Sequence, residues 1–237
     1  MTSDTNEYSK DQFTSFRGQK RKLNKGKRKE SSRRWISRQL NDPYVFEAQK
    51  RGYRSRSAFK LIQINQKFKL IIPGMKILDL GCSPGGWLQV ISEIVNKKSE
   101  GIVIGVDLLD TDVLPNVHFL KGDIREEKIK NKIKKHLLKN HLDGVVSDMA
   151  ADTTGHRSTD HLRTTLLLEE GLDLAIEFLS EGGFFLGKCF KGGAEQSLLK
   201  IMKEKFENVK HVKPDASRKE SVETYVLAMG YKNNTKK

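Results

Sequence analysis

The chain has 237 residues, enough for one α/β domain with a sizeable core plus an extension and too few for a second full domain. Its 44 Lys and Arg stand against 30 Asp and Glu, a formal charge of +14, so a polyanion is the expected partner, with nucleic acid first among them. The two cysteines, Cys82 and Cys189, argue against a disulfide framework and a zinc site, and the lack of a signal-peptide core or bilayer-spanning run predicts a soluble, cytoplasmic protein that binds neither membrane nor metal.

Residues 1–40 are poor in apolar side chains and carry Lys20-Arg21-Lys22, Lys25, Lys27-Arg28-Lys29 and Arg33-Arg34. They are expected to form a disordered basic arm that contacts RNA phosphates, ahead of a folded domain over residues 41–232 and a basic tail at 233–237. A second basic group, Lys50-Arg51, Arg54 and Arg56, is interleaved with Tyr44, Phe46 and Tyr53, a mixture suited to unpaired bases as well as to backbone. From Ser57 the pattern becomes regular. Ala58, Leu61, Ile62 and Asn65 mark one helix face, and Pro73-Gly74 turns the chain into a first strand at residues 76–80.

That strand runs into Leu78-Asp79-Leu80-Gly81-Cys82-Ser83-Pro84-Gly85-Gly86-Trp87, and an amphipathic helical run (Leu88, Val90, Ile91, Ile94, Val95) follows. A strand, a glycine-rich turn and a helix start together make a nucleotide-type ligand site. The glycines are expected to let the backbone turn sharply and the ligand come close, while Asp79 supplies a carboxylate at the strand end. Neither the dinucleotide fingerprint nor a P-loop is present. An acidic residue before the turn repels phosphate and suits a cation, and S-adenosylmethionine, with its sulfonium and α-ammonium and no phosphate, meets both demands.

Strands are expected next at residues 101–109 and 117–121, then a Lys-rich helix at 126–139 and a strand at Leu142–Ser147. A long amphipathic helix spans His161–Leu179, Gly182-Gly183 precedes a strand at Phe184–Gly187, a helix covers 194–206, and strands near 209–212 and 224–229 close the chain. This alternation predicts an α/β, doubly wound, Rossmann-like fold with a mostly parallel seven-stranded sheet, an antiparallel last strand and a ligand at the carboxyl ends of the strands. Asp107 ends the second strand, where a carboxylate accepts both ribose hydroxyls of an adenosyl group.

Several separate segments fall in one order: Ser57-Ala58-Phe59-Lys60-Leu61, the Asp79–Trp87 turn, Val106-Asp107-Leu108-Leu109, Gly122-Asp123, Ser147-Asp148-Met149-Ala150, Gly187-Lys188-Cys189-Phe190, Lys213-Pro214-Asp215-Ala216-Ser217-Arg218 and Glu223-Thr224-Tyr225. In that order the chain resembles the FtsJ/RrmJ family of ribosomal RNA 2′-O-methyltransferases from about Tyr53 to Gly230. The resemblance implies a catalytic tetrad of Lys60, Asp148, Lys188 and Glu223. It also implies that Asp123 contacts the adenine amine, that Gly85 and Trp87 line the methionine and ribose side, and that Gly81, Pro84, Gly86, Leu108, Ile124 and Asp148 complete the S-adenosylmethionine site.

A ribose hydroxyl is a very weak acid, so attack on a sulfonium methyl needs alignment and relief of the hydroxyl proton. Lys188 is expected either to act as base, with Lys60 as the second cation, or to stay protonated and stabilise the developing alkoxide, while Asp148 and Glu223 hold the ammonium groups. Lys213–Lys219 are expected to hold RNA backbone near the site mouth. The resemblance further implies a uridine of 23S ribosomal RNA in the assembled large (50S) subunit as substrate, and a monomeric enzyme. A transfer RNA 2′-O-methyltransferase and a non-catalytic ribosome-assembly factor are the alternatives.

Overall fold

The computed structural model describes residues 36–37, 39–97, 101–138, 141–191, 196–218 and 220–233. Most of the basic arm and the last four residues of the tail lie outside these. Residues 36–37 and 39–40, the end of the expected arm, have helical backbone.

The described elements run in the order α1 (Pro43–Arg51), α2 (Ala58–Phe68), β1 (Lys76–Leu80), α3 (Gly86–Val95), β2 (Ile102–Asp107), β3 (His118–Lys121), α4 (Glu127–Leu137), β4 (Leu142–Ser147), α5 (Arg157–Phe178), β5 (Leu179–Phe190), α6 (Gln196–Lys205), β6 (Phe206–Val212) and β7 (Glu223–Tyr231). The helix α1 was not anticipated. Asp42 caps it by accepting the Tyr44 N–H at 3.0 Å, Pro43 opens it, and Gly52 closes it in the left-handed region at φ 74°.

The seven strands form one sheet in the order β3-β2-β1-β4-β5-β7-β6, parallel except where β7 runs antiparallel to both β5 and β6. This is the doubly wound architecture that the alternation of strands and helices implies. Successive side chains of each strand point to opposite faces, so both faces must be covered. On one, Leu78, Leu80, Ile104 and Val145 pack with α4, α5 and α6; on the other, Ile77, Val103, Val146 and Leu186 pack with α2 and α3. The Lys-rich α4 buries only Ile129, Ile133 and Leu137, four residues apart, and its Lys130 and Lys134 pair with Glu177 of α5.

Four elements, α5, β5, β6 and β7, exceed their expected bounds, the first two by the most. The helix α5 starts at Arg157 because Asp160, in its first turn, accepts the N–H groups of Thr154 (2.7 Å) and Gly155 (3.2 Å), a capping contact invisible to apolar periodicity. The strand β5 passes through Gly182-Gly183 with a register shift and continues to Phe190, so Lys188 sits opposite Tyr225 and Phe190 opposite Glu223. Among the described residues no helix is long and apolar enough to cross a membrane.

The sheet order reverses between β1 and β4, and the crevice at their carboxyl ends is where a ligand fits such a fold. One group in the core beneath it is out of place by ordinary packing rules. Asp79 of β1 is fully buried on the face shared with Leu88 and Trp87, and neither carboxylate oxygen has a hydrogen-bond partner among the described residues. Burial first, then the charges of Asp148 and Asp107, push its carboxyl well above the usual carboxylate range. A raised value in the folded state means that this group's contribution to stability is full below the ordinary carboxylate range and is lost as pH rises through the folded value. Asp79→Asn, which carries no charge, is therefore expected to be more stable than the unsubstituted protein at pH 7.5, by about 1 kcal/mol or more and roughly 2–4 °C in Tm, with the difference gone near pH 3.5; thermal melts at the two pH values check this.

Candidate active site

Below the crevice lies a cavity of about 310 Å³ whose walls include Gly81, Asp107, Leu108, Asp123, Ile124 and Asp148. Asp107, at the end of β2, accepts the Ser83 N–H on Oδ2 and the Leu109 N–H on Oδ1, both at 2.8 Å. Each carboxylate oxygen has a second lone pair, so both remain able to accept a diol. Asp123 accepts from the Arg125 backbone N–H at 3.0 Å and from its side chain through Nε at 2.9 Å and 3.1 Å; these bonds, with Arg125 chiefly responsible, hold its carboxyl below the usual range. Glu170 of α5 closes the same wall 3.7 Å from Arg125, and burial raises its carboxyl. The sequence pattern does not single it out. Leu108 and Leu109 are 63% and 67% exposed, an apolar rim for a flat ring.

The remaining expected cofactor residues, Asp79, Pro84, Gly85, Gly86 and Trp87, do not line the cavity. The sharp turn expected of the glycines is present, with φ of 70° at Gly81 and 106° at Gly85, but what comes close at Gly85 and Gly86 is this chain itself: a Cβ on Gly85 would lie 2.5 Å from Nη1 of Arg54, and one on Gly86 would lie 2.2 Å from Oγ of Ser55. Trp87 is buried, donates its Nε1–H to the Ser57 carbonyl at 2.8 Å and packs its ring 5.7 Å from that of Tyr225.

The four tetrad residues, contributed by α2, the end of β4, β5 and β7, meet in space. The Lys188 Nζ lies 2.9 Å from Oδ1 of Asp148 and donates to its backbone carbonyl at 2.7 Å. The Lys60 Nζ lies 2.7 Å from Oε1 of Glu223 and 3.7 Å from Oδ1 of Asp148. Both lysines are buried, at 7% and 8% exposure, and two carboxylates balance their charge. Burial alone would raise the Asp148 carboxyl, but Lys188 and Lys60 beside it, with hydrogen bonds from Lys188 and Tyr225, hold it below the usual range. Asp148 is thus ionised at neutral pH.

Two further residues belong to this cluster. Tyr225 donates its hydroxyl to Oδ1 of Asp148 at 2.7 Å, and burial followed by the Asp148 and Glu223 charges push its phenol well above the usual range. Ser217 donates to Oε1 of Glu223 at 3.1 Å. Tyr225 follows Glu223 by two strand positions, so the period-2 rule places both on one face, a signal present in the sequence and not used there.

Several of the basic residues expected to face RNA also make contacts within the protein. Arg51 pairs with Glu47 at 2.5 Å, Arg56 pairs with Asp42 at 2.9 Å and donates to the Ala216 carbonyl at 2.6 Å, and Arg218 lies 3.7 Å from the same Asp42. The loop from Lys213 to Arg218 is fastened to the rest by these bonds and by Gln63, which accepts the Ala216 N–H at 2.8 Å. Its role in the fold is to seat Ser217 against Glu223 and to tie α1 to the site.

A curated protein of Bartonella tribocorum, named ribosomal RNA large subunit methyltransferase E, is 50% identical over 219 residues, covering 92% of this chain and 90% of its own. The protein of the same name from Brucella anthropi is 52% identical over 205 residues, 86% of this chain and 85% of its own. Among solved structures, a ribosomal RNA methyltransferase of Plasmodium falciparum superposes with a TM-score of 0.69 at 31% identity, over 76% of this chain and 98% of that one. The model of the FtsJ-like methyltransferases matches residues 53–231, a span holding the cavity and all four tetrad residues, and the chain belongs to that family.

Proposed function

We propose that this protein transfers the methyl group of S-adenosylmethionine to the 2′-hydroxyl of a uridine ribose in 23S ribosomal RNA, acting as a monomer on the assembled large subunit in the cytoplasm. The observation that carries the reading is the position of Asp148: it is both a wall of the cavity and the carboxylate on which Lys188, Lys60 and Tyr225 converge. Ligand site and tetrad therefore share one residue. The relatives' name, ribosomal RNA large subunit methyltransferase E, supports ribosomal over transfer RNA.

The residues present fit the cofactor. The cavity walls carry Asp107, Asp123, Asp148 and Glu170 against the single cation Arg125, which is itself paired, so a cationic, phosphate-free ligand is favoured. Asp107 would receive the ribose diol and Asp123 the adenine amine. When bound, S-adenosylmethionine supplies a methyl group made electrophilic by its sulfonium.

The protein's contribution is to align and polarise the hydroxyl. An alkylammonium carries three N–H bonds, and Lys188 directs two of its contacts to Asp148. The third N–H is left for the ribose 2′-oxygen, where it would stabilise the negative charge that develops as the hydroxyl proton departs to solvent; the oxygen–methyl bond would then form as the sulfur–methyl bond breaks, with the neutral thioether S-adenosylhomocysteine as the leaving group. Lys60, held by Glu223, positions the sugar from the other side. Both lysines are kept in place by groups already hydrogen-bonded, so little reorganisation accompanies the reaction.

The test is transfer of labelled methyl from S-adenosylmethionine to large subunits lacking the modification, with naked ribosomal RNA and transfer RNA alongside and the label mapped by mass spectrometry. Label on a ribose of the large-subunit RNA, chiefly in the particle, is expected; label on transfer RNA alone, or none despite binding, overturns the reading. In the same assay Lys188→Ala is expected to lose about a thousandfold or more in rate with cofactor affinity within about twofold by calorimetry. Removal of residues 1–40 is expected to weaken binding to the subunit and to flatten its salt dependence by about 0.9 in log–log slope for each phosphate that the arm neutralises, read from binding between 50 and 200 mM salt.

A further inference from the structure

The residues Gly52 to Ser57 cross over the turn that follows β1. Gln89 of α3 accepts the Arg54 backbone N–H at 2.8 Å and donates to the Gly52 carbonyl at 2.9 Å, and Trp87 holds the far end through the Ser57 carbonyl at 2.8 Å. With its backbone fixed in this way, Arg54 sends its side chain between two loops. Nη1 donates to the Asp112 carbonyl at 2.9 Å and lies 3.4 Å from both the Pro84 carbonyl and Oγ1 of Thr111. Pro84 belongs to the turn after β1, and Thr111 and Asp112 belong to the loop after β2 that begins with Asp107 and Leu108. Thr111 donates to the same Pro84 carbonyl at 2.9 Å, and Ser83 donates to the Asp110 carbonyl at 3.2 Å.

The loop after β2 is otherwise held by the Lys121–Asp110 ion pair, by the Leu109 N–H on Asp107 and, further along, by Leu114 packed against the core. Its first part buries little apolar surface, Leu108, Leu109 and Val113 being 63%, 67% and 84% exposed, and therefore relies on its polar contacts. The bare position at Gly85 leaves room for the guanidinium, since a Cβ there would lie 2.5 Å from Nη1. The acceptors around Nη1 are two backbone carbonyls and a hydroxyl, and the rigid, planar guanidinium holds its N–H bonds in a fixed direction between the two loops, which the shorter, freely rotating ammonium of a lysine does not.

We propose that Arg54 is a positioning residue for the cofactor: its guanidinium clasps the turn after β1 to the loop after β2 and so holds Asp107 and Leu108 ready for the adenosyl group. This rests on the S-adenosylmethionine reading above. It removes Arg54 from the set of cations facing RNA. Without the clasp, cofactor binding must order the loop as well as fill the site, and affinity falls by that entropy.

The test is cofactor titration by calorimetry on the full chain without RNA, together with hydrogen exchange of residues 108–113 and the cofactor KM. Arg54→Ala is expected to raise the cofactor Kd about tenfold, to raise KM by a larger factor than it lowers kcat, and to speed exchange in the loop. Arg54→Lys keeps the charge and is expected to behave like the alanine variant. Thr111→Val, a change outside the core, is expected to raise Kd severalfold and to add less than its own effect to Arg54→Ala, because the two share Pro84. A Kd within twofold of the unsubstituted protein in Arg54→Ala, or restoration by lysine with the defect confined to RNA affinity, overturns the proposal. Absence of binding by the unsubstituted protein instead overturns the S-adenosylmethionine reading, a result distinct from unchanged affinity in the variants.

Discussion

Two buried ammonium groups and a phenol converge on the carboxylate of Asp148, and the site depends on that convergence. Bringing two lysines out of water would be strongly unfavourable without matched negative charge, and removing one partner from a buried pair costs about 3–5 kcal/mol. Asp148 and Glu223 supply the balance, with Tyr225 and Ser217 occupying the lone pairs the lysines leave. The result is a preorganised cluster whose members come from α2, β4, β5 and β7. Because Asp148 also borders the cavity, the charge that holds the lysines faces the place where a cation is expected to bind.

Negative charge is concentrated there at a cost to the fold. Asp79 sits without a partner beneath Asp148 and Asp107, and the three carboxylates oppose one another. Such an arrangement in a core otherwise built of Leu, Ile and Val has no packing rationale.

The loops above the sheet show a second constraint. The turn after β1 is bounded on its outer side by residues 52–57, and its glycines are shaped by Arg54 and Ser55. The basic segment read in sequence as one surface for RNA is divided in the structure: Arg51, Arg54 and Arg56 are engaged within the protein. A count of cations along the chain does not distinguish a charge that faces solvent from one that is also engaged within the protein, because the partners range from four residues away, as for Arg51, to 160 away, as for the Ala216 carbonyl that Arg56 meets.

Much of the sheet was legible in the order of the residues. Alternation of apolar strands with amphipathic helices implied the doubly wound order and a strand-end carboxylate marked Asp107, since period and spacing are local properties carried by neighbouring residues, while the resemblance carried by the ordered segments pointed to Asp123, Lys60, Asp148, Lys188 and Glu223. The tertiary structure alone decided which of these touch. It lengthened β5 to put Lys188 opposite Tyr225, brought Tyr225 and Ser217 into the tetrad, started α5 at Arg157 through Asp160, formed α1 on the Asp42 cap, and turned Gly85 and Gly86 from openings for a ligand into seats for Arg54 and Ser55. Each of these depends on contacts between segments distant in the chain or on a cap closed by a side chain, and neither leaves a periodic trace in the order of the residues.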